Sequence, residues 1–189
     1  MKRRGLFLLL GVFILLAIVA LLQSRPSTPS AVDMSNQTGG VFEGYELMGQ
    51  TLGMPVEEIA AIRLSSAQEG EQFIMSRDGT GNWIAPNETG TLDGETAANI
   101  AKTVVLLPYQ TTLDITETTT FETYGFTPNG NLSIEILMRD GGTHAIAIGG
   151  LVPTTDAYYA LVDELPQLFL LERAPIDYLQ VQLDNPPMN

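Results

Sequence analysis

The first 22 residues constrain this chain more than any other segment. Three basic residues at positions 2–4 precede an uncharged apolar run over residues 5–22, and a helix of that length crosses the hydrocarbon core of a bilayer. Because the basic cluster lies on one side of the run only, the positive-inside rule places the N-terminus in the cytoplasm. The sequence therefore predicts a cytoplasmic stub over residues 1–4, a single-pass transmembrane anchor over residues 5–22, and an extracytoplasmic remainder at the cell membrane.

A cleaved signal peptide is the competing interpretation of the same segment. Its apolar core is typically about 7–15 residues long and leads to small residues in an A-x-A spacing. Here the apolar stretch from Leu6 to Leu22 is longer, and Ala17 and Ala20 are separated by two residues. These features favour a retained anchor over cleavage, and both interpretations export the rest of the chain. Because no cysteine follows the run, a lipid-anchored lipoprotein is excluded.

The exported part of the chain is strongly acidic. Residues 26–189 contain all 22 acidic residues but only five of the nine basic ones, which gives a net charge of −17. A field of that sign repels phosphate backbones, so nucleic-acid binding is excluded. The chain has no cysteine, so the exported domain must fold without disulfides and has no thiolate to offer a transition metal.

Composition divides the exported part into a linker, a domain and a tail. Residues 23–55 are rich in small and polar residues and predict a flexible linker. A folded domain is predicted over residues 56–183, followed by a tail over residues 184–189. Residues 91–107 have the period of an amphipathic helix, with Asp93 as its N-cap.

Alternating apolar and polar residues predict strands on both sides of this helix. A short helix is expected after Pro175, at a position where proline suits a first turn. This order predicts an α+β domain, with an antiparallel sheet or meanders, one main covering helix and a preceding N-terminal transmembrane helix. The predicted strands are Ile59–Leu64, Gln72–Ser76, Trp83–Ala85, Leu132–Met138, Thr143–Ile148, Ala157–Val162 and Leu168–Leu171.

Several short motifs in a fixed order carry a family resemblance. They are Gly81-Asn82-Trp83-Ile84-Ala85-Pro86, Leu92-Asp93, Tyr124-Gly125-Phe126-Thr127-Pro128, Ile148-Gly149-Gly150, Tyr158-Tyr159-Ala160 and Leu168-Phe169-Leu170-Leu171. With the N-terminal anchor, this order resembles the DUF4340 family of bacterial envelope proteins over about residues 56–182. The resemblance implies no known activity and no catalytic residues, and it suggests an association with ABC-type transport systems. Within the motifs, Gly125, Gly149 and Gly150 are interpreted as turns with unusual backbone angles.

No catalytic, cofactor-binding or metal-binding residues are predicted. The only histidine, His144, lies on a strand face with isoleucines, where a structural role is favoured over a catalytic one. Asp78, Thr80 and Asn82 have oxygen-bearing side chains at alternate positions, as in some calcium loops, but the sixth position is Trp83 and a hairpin turn is favoured. A pair of carboxylates facing each other across a groove, as in glycosidases, stays open because the chain has many acidic residues.

Aromatic residues form the candidate interaction surface. For Trp83, burial in the core or at a sheet edge is the favoured interpretation, because indole buries a large apolar area. Tyr158 and Tyr159 are expected on opposite faces of one strand, so that one of them can line a surface groove. The five aromatic residues considered are Trp83, Tyr124, Phe126, Tyr158 and Tyr159.

The leading functional hypothesis is a membrane-anchored, extracytoplasmic, non-enzymatic module that contacts other envelope proteins. It depends on the anchor, the linker and the absence of a catalytic motif, and the family resemblance suggests an ABC-type transporter as the partner. One alternative is a domain that binds a solute or polymer through the aromatic residues. The other is a hydrolase that uses carboxylates.

Overall fold

The structure of the protein is a computed structural model that describes residues 45–66, 70–126 and 130–189. In this part of the chain nine strands and three α-helices follow one another, with 3-10 turns at Val56–Glu58 and Phe121–Tyr124. The helices are α1 (Met48–Thr51), α2 (Gly94–Val105) and α3 (Arg173–Asp184). The strands are β1 (Glu46–Leu47), β2 (Ile59–Ser65), β3 (Gln72–Arg77), β4 (Trp83–Ile84), β5 (Pro108–Asp114), β6 (Leu132–Met138), β7 (Thr143–Leu151), β8 (Ala157–Val162) and β9 (Gln167–Glu172).

All nine strands belong to one antiparallel sheet. Their order across the sheet is β1-β5-β9-β8-β7-β6-β2-β3-β4. The two-residue strands β1 and β4 therefore lie at the two edges, where short strands limit pairing with other chains. The longer strands β2, β6 and β7 lie side by side in the middle.

One face of the sheet carries the hydrophobic core under α2 and α3. The strands contribute alternate side chains to it, such as Phe73 and Ile134, which are fully buried. Helix α2 begins where the Asp93 side chain accepts a hydrogen bond from the backbone N–H of Thr96 at 2.7 Å, as an N-cap does. The helices add Ala97, Ile100, Ala101 and Val104 from α2 and Ile176, Leu179 and Leu183 from α3.

The predicted fold class, an α+β domain of antiparallel meanders under one main helix, is wrong. The described chain folds instead around a single large antiparallel sheet with few helices. The difference comes from β5, which follows α2 and pairs with β9 on one side and β1 on the other. A register shift between Tyr109 and Thr112 breaks the alternation of apolar residues in β5, so the sequence pattern does not reveal this strand.

A second part of that prediction, one main covering helix, is also corrected by the structure. The helix expected to be short after Pro175 is α3, which is as long as α2 at 12 residues. Its buried residues Ile176, Leu179 and Leu183 follow the spacing of one helix face. Two helices therefore cover the sheet.

The folded unit reaches further toward both ends than residues 56–183. Within the range expected as a linker, Met48 and Met54 are buried in the core, at 0% and 1% exposure. Within the range expected as a tail, Met188 forms a bridge with Leu92 and the backbone N–H of Asn189 donates to the Thr91 carbonyl at 2.9 Å. Single apolar residues anchor these segments to the domain. The rest of each segment is polar, so its composition predicted a linker and a tail.

The predicted membrane anchor, residues 5–22, and residues 23–44 of the predicted linker lie outside the described residues. Within the described ranges, no helix is long and apolar enough to cross a membrane. The transmembrane helix that the fold-class prediction placed before the domain is therefore not found in this part of the chain.

Candidate interaction surface

The outer face is the surface of the sheet that points away from α2 and α3. It comprises thirteen side chains of β4, β3, β2, β6 and β7, which alternate along the strands with the core residues and stand in rows across them. One row is Ile84, Ser76, Ala61, Leu137 and Thr143, the next is Ile74, Arg63, Glu135 and Ala145, and the third is Gln72, Ser65, Ser133 and Ala147.

The outer face is electrically neutral although the domain is strongly acidic. Its charged residues are Arg63 and Glu135, which are direct cross-strand neighbours and form an ion pair through Arg63 Nη2 and Glu135 Oε2. Both side chains are nearly half exposed, at 43% and 45%, so the pair adds at most about 1 kcal/mol to stability. Its main effect is to cancel the charge of the outer face.

A shallow depression of about 330 Å³ opens in the outer face beside this ion pair. The short side chains of Ala61 and Ala145 leave space between the larger Ile74 and Leu137. Leu137 is 42% exposed, although leucine in a strand usually faces a core. The surface therefore combines apolar protrusions with apolar recesses, an arrangement that suits contact with another surface.

His144 lies at the rim of the depression and is held by Asp163. Its Nδ1 is 2.8 Å from Asp163 Oδ2, and Asp163 Oδ1 accepts from the backbone N–H of Ala145 at 2.7 Å. Asp163 has a φ of 46°, and its own N–H donates to the Ala145 carbonyl at 2.8 Å. The pair thus closes the end of the β7–β8 ladder.

The candidate aromatic residues Tyr124, Phe126 and Tyr159 come together on the same side of the sheet as the outer face. We call residues Phe121–Phe126 the ridge. Tyr124 contacts Tyr159 of β8 edge to face, with ring centroids 4.9 Å apart, and Phe126 contacts Phe121 with centroids 6.3 Å apart. Phe126 is only 9% exposed, so most of its ring serves to pack the ridge onto the sheet.

The glycine within the ridge and the two glycines under it have different roles. Gly125 has a φ of 78°, as the predicted turn requires. Gly149 and Gly150 lie instead within β7, and the prediction that they form turns is wrong. A Cβ on Gly149 would stand 2.4 Å from the Tyr124 carbonyl oxygen, so glycine is needed there because the ridge backbone lies directly on the strand.

The remaining two candidates, Trp83 and Tyr158, belong to the other face. Trp83 is 8% exposed in the core, and the Arg77 guanidinium lies 4.3 Å from its ring centroid. The Tyr158 hydroxyl donates to Asp177 of α3 at 2.9 Å, and burial followed by this bond raises the pKa of Tyr158. Since β4 and β8 are five strand positions apart, Trp83 and Tyr159 are separated by roughly 24 Å. The five residues do not form one platform.

The loop considered for calcium is a hairpin turn. Asp78 Oδ1 accepts from the Thr80 N–H, the Thr80 hydroxyl and the Asn82 N–H at 2.7–2.9 Å. These hydrogen bonds, first that of the Thr80 hydroxyl, hold the pKa of Asp78 below its usual value. Within the described ranges no three His, Asp or Glu residues are grouped so that they could hold a metal ion.

Sequence reasoning missed the outer face as a surface. A signal was present, because Leu137 interrupts the otherwise polar side of β6 and the alanines of β2 and β7 occupy outward positions. Those residues are far apart in the chain, and only the strand register brings them together.

Comparisons of this chain with protein-family models, with curated proteins and with solved structures find no match. The resemblance to the DUF4340 family therefore stays a prediction.

Proposed function

We propose that this protein is a membrane-tethered, extracytoplasmic, non-enzymatic module that binds another protein of the cell envelope through its outer face. The observation that supports this function is the character of the outer face. It is neutral and partly apolar, although the exported part of the chain carries a net charge of −17. Two exposed large apolar side chains, Ile84 and Leu137, lie on this face, and exposed apolar groups among uncharged neighbours are typical of sites where proteins associate.

The polar groups near the depression support binding more than catalysis. Glu135 is paired with Arg63, and Asp163 is bonded to His144 and to the backbone N–H of Ala145. A hydrolase needs a free carboxylate pair across a groove, and a solute-binding platform needs its aromatic residues on one face. We therefore prefer the interaction module to these two alternatives.

The membrane location in this proposal depends on the sequence of residues 1–22, and the transporter association depends on the family resemblance. A tether would confine the domain to a layer next to the membrane and raise its effective concentration toward membrane partners. The proposed partner is accordingly a membrane protein, with subunits of an ABC-type transport system as the first to examine.

The experiment is gentle detergent extraction of the tagged full-length protein, followed by mass spectrometry of the proteins that co-purify. Leu137→Glu places a charge in the row of the outer face that holds its two exposed large apolar side chains, Leu137 and Ile84. Val181→Glu makes the same change on α3, where Val181 is 53% exposed, and is the matched control.

We expect a defined set of envelope proteins to co-purify with the original chain and with Val181→Glu, and to be lost with Leu137→Glu. Deletion of residues 1–25 should abolish recovery in the membrane fraction. Equal recovery with both glutamate variants would contradict the role of the outer face. Turnover of a substrate by the purified chain, lost on a point mutation, would contradict the non-enzymatic function.

A further inference from the structure

We propose that the partner bound by the outer face is a second copy of this chain, related to the first by a two-fold axis that runs along the strands between β2 and β6. This inference rests on the proposed function, since it takes the outer face as the interaction surface. It names a second membrane-tethered chain as the occupant of that face, in place of the transporter subunit that the family resemblance alone suggests. It specifies both the partner and the way in which the two surfaces meet.

The strand register gives the outer face complementary halves. An axis between β2 and β6 places β2 of one copy opposite β6 of the other, and β3 opposite β7. Residues in one row then meet residues in the same row of the second copy. Two facing sheets pack about 10 Å apart with their strands nearly aligned. This axis is compatible with that packing.

Large side chains meet small ones under this operation. Leu137 and Ala61 are cross-strand neighbours on β6 and β2, so each Leu137 would lie over the Ala61 of the second copy. Ile74 on β3 and Ala145 on β7 stand at the two ends of the next row, which contains Arg63 and Glu135, so each Ile74 would lie over the second copy's Ala145. These alanines line the depression, and the protruding side chains would fill it.

The charged and hydroxyl residues are also self-complementary. Arg63 of one copy would face Glu135 of the other, and the reverse, so that two ion pairs become a ring of four alternating charges. Ser65 would face Ser133, which are themselves cross-strand neighbours. Every charge in the centre of the interface would therefore face an opposite charge. A charge buried there without such a partner would destabilise the dimer.

The charge of the domain favours this face over the rest of its surface for self-association. Two copies with a net charge of −17 each in the exported part repel one another, and the repulsion is weakest where neutral surfaces meet. Four strands and five residues along each give a footprint of roughly 320 Å² per copy. A standard interface buries about 800 Å² per partner, so we expect weak association in free solution, strengthened when both copies share one membrane.

The test uses the full-length chain in membranes, where the absence of cysteine allows single-cysteine variants. In the proposed dimer the two Leu137 positions are about 11 Å apart, too far for a disulfide but within reach of a short bifunctional thiol reagent. Leu137→Cys should therefore give cross-linked dimers. Asn99→Cys, exposed on α2, is the matched control on the helical side and should give few.

Charge reversal separates contacts between copies from those within one copy. Arg63→Glu places four carboxylates at the centre of the dimer, and Glu135→Arg places four guanidinium groups there. Each change, combined with Leu137→Cys, should lower the cross-linked yield by about tenfold or more, because like charges would face each other. When the two variants, with different tags, are expressed together, every facing pair is again opposite in charge and the mixed dimer should form.

Recovery of the mixed dimer, with neither variant forming dimers alone, would support the proposal. Equal cross-linking of Leu137→Cys and Asn99→Cys, or no recovery in the mixture while circular dichroism shows both variants folded, would overturn it. A photoreactive residue at position 137 that captures one defined envelope protein and no second copy would overturn this inference while the proposed function stands. Capture of neither would overturn both.

Discussion

The contact between the ridge and β7 makes a prediction that two neighbouring glycines can test. Gly149 is buried, and a Cβ there would lie 2.4 Å from the Tyr124 carbonyl oxygen and 2.9 Å from Phe126 Cζ. Ordinary contact begins at 3.4 Å, so Gly149→Ala must push the ridge backbone outward by about 1 Å. A backbone carbonyl cannot avoid this by a change of rotamer.

We expect Gly149→Ala to lower the free energy of unfolding by about 1–3 kcal/mol, the usual effect of overpacking. For a domain of this size, the melting temperature should fall by about 3–12 °C. The matched control is Gly150→Ala, because its nearest neighbouring atom would be 3.5 Å from the new Cβ. The control should change the free energy by no more than about 0.5 kcal/mol.

The assay is urea unfolding of both variants and the original chain, followed by far-ultraviolet circular dichroism. Equal midpoints for Gly149→Ala and Gly150→Ala would show that the ridge backbone does not lie directly on β7. A lower midpoint for Gly149→Ala with an unchanged slope would show a loss of stability without a change in the surface exposed on unfolding.

Two further predictions concern the core. Met48→Ala should lower the free energy of unfolding, measured in urea, by about 2–5 kcal/mol, because Met48 is fully buried. The control Gln50→Ala, on the exposed side of α1, should leave it unchanged. Equal effects of the two substitutions would place Met48 outside the core. Tyr158→Phe should cost about 1 kcal/mol through the lost bond to Asp177. Because the pKa of Tyr158 is raised in the folded state, its contribution is present below the ordinary tyrosine pKa and is lost as the pH rises through the raised value. Alkaline unfolding of the original chain and Tyr158→Phe should therefore converge; a constant difference at all pH values would contradict this.

Elements with a local pattern could be predicted from the sequence. Helix α2 was expected over residues 91–107 and is observed over Gly94–Val105, with Asp93 as its N-cap. The prediction was possible because the spacing of the apolar residues and the capping residue both belong to this short segment. Strand β6 was expected from its alternation, including the exception at Leu137. In each case the residues that determine the element lie within it.

Features that depend on distant contacts could not be predicted in this way. Strand β5 contains the polar run Gln110-Thr111-Thr112, and its position is fixed by pairing with β9 more than 50 residues later. The outer face depends on the register between β2 and β6, which are separated by more than 60 residues. The opposite orientation of Tyr158 and Tyr159 was expected from strand geometry, but the packing of Tyr124 on Tyr159 depends on how the ridge crosses the sheet.

The short edge strand β1 has a mechanical consequence. A pulling force on the chain before Glu46 acts on a strand that pairs with β5 at two residues. Further hydrogen bonds run from the Met48 N–H to the Leu107 carbonyl at 2.9 Å and from the Tyr109 hydroxyl to Glu46. Such a strand peels away one pair at a time, while the longer ladders of β2, β6 and β7 stay intact. Release of residues 45–47 would add roughly 10 Å of chain, after which the buried Met48 would hold the segment to the core. The domain is thus extensible at its N-terminal edge, and it can yield to tension there before its central sheet comes under load.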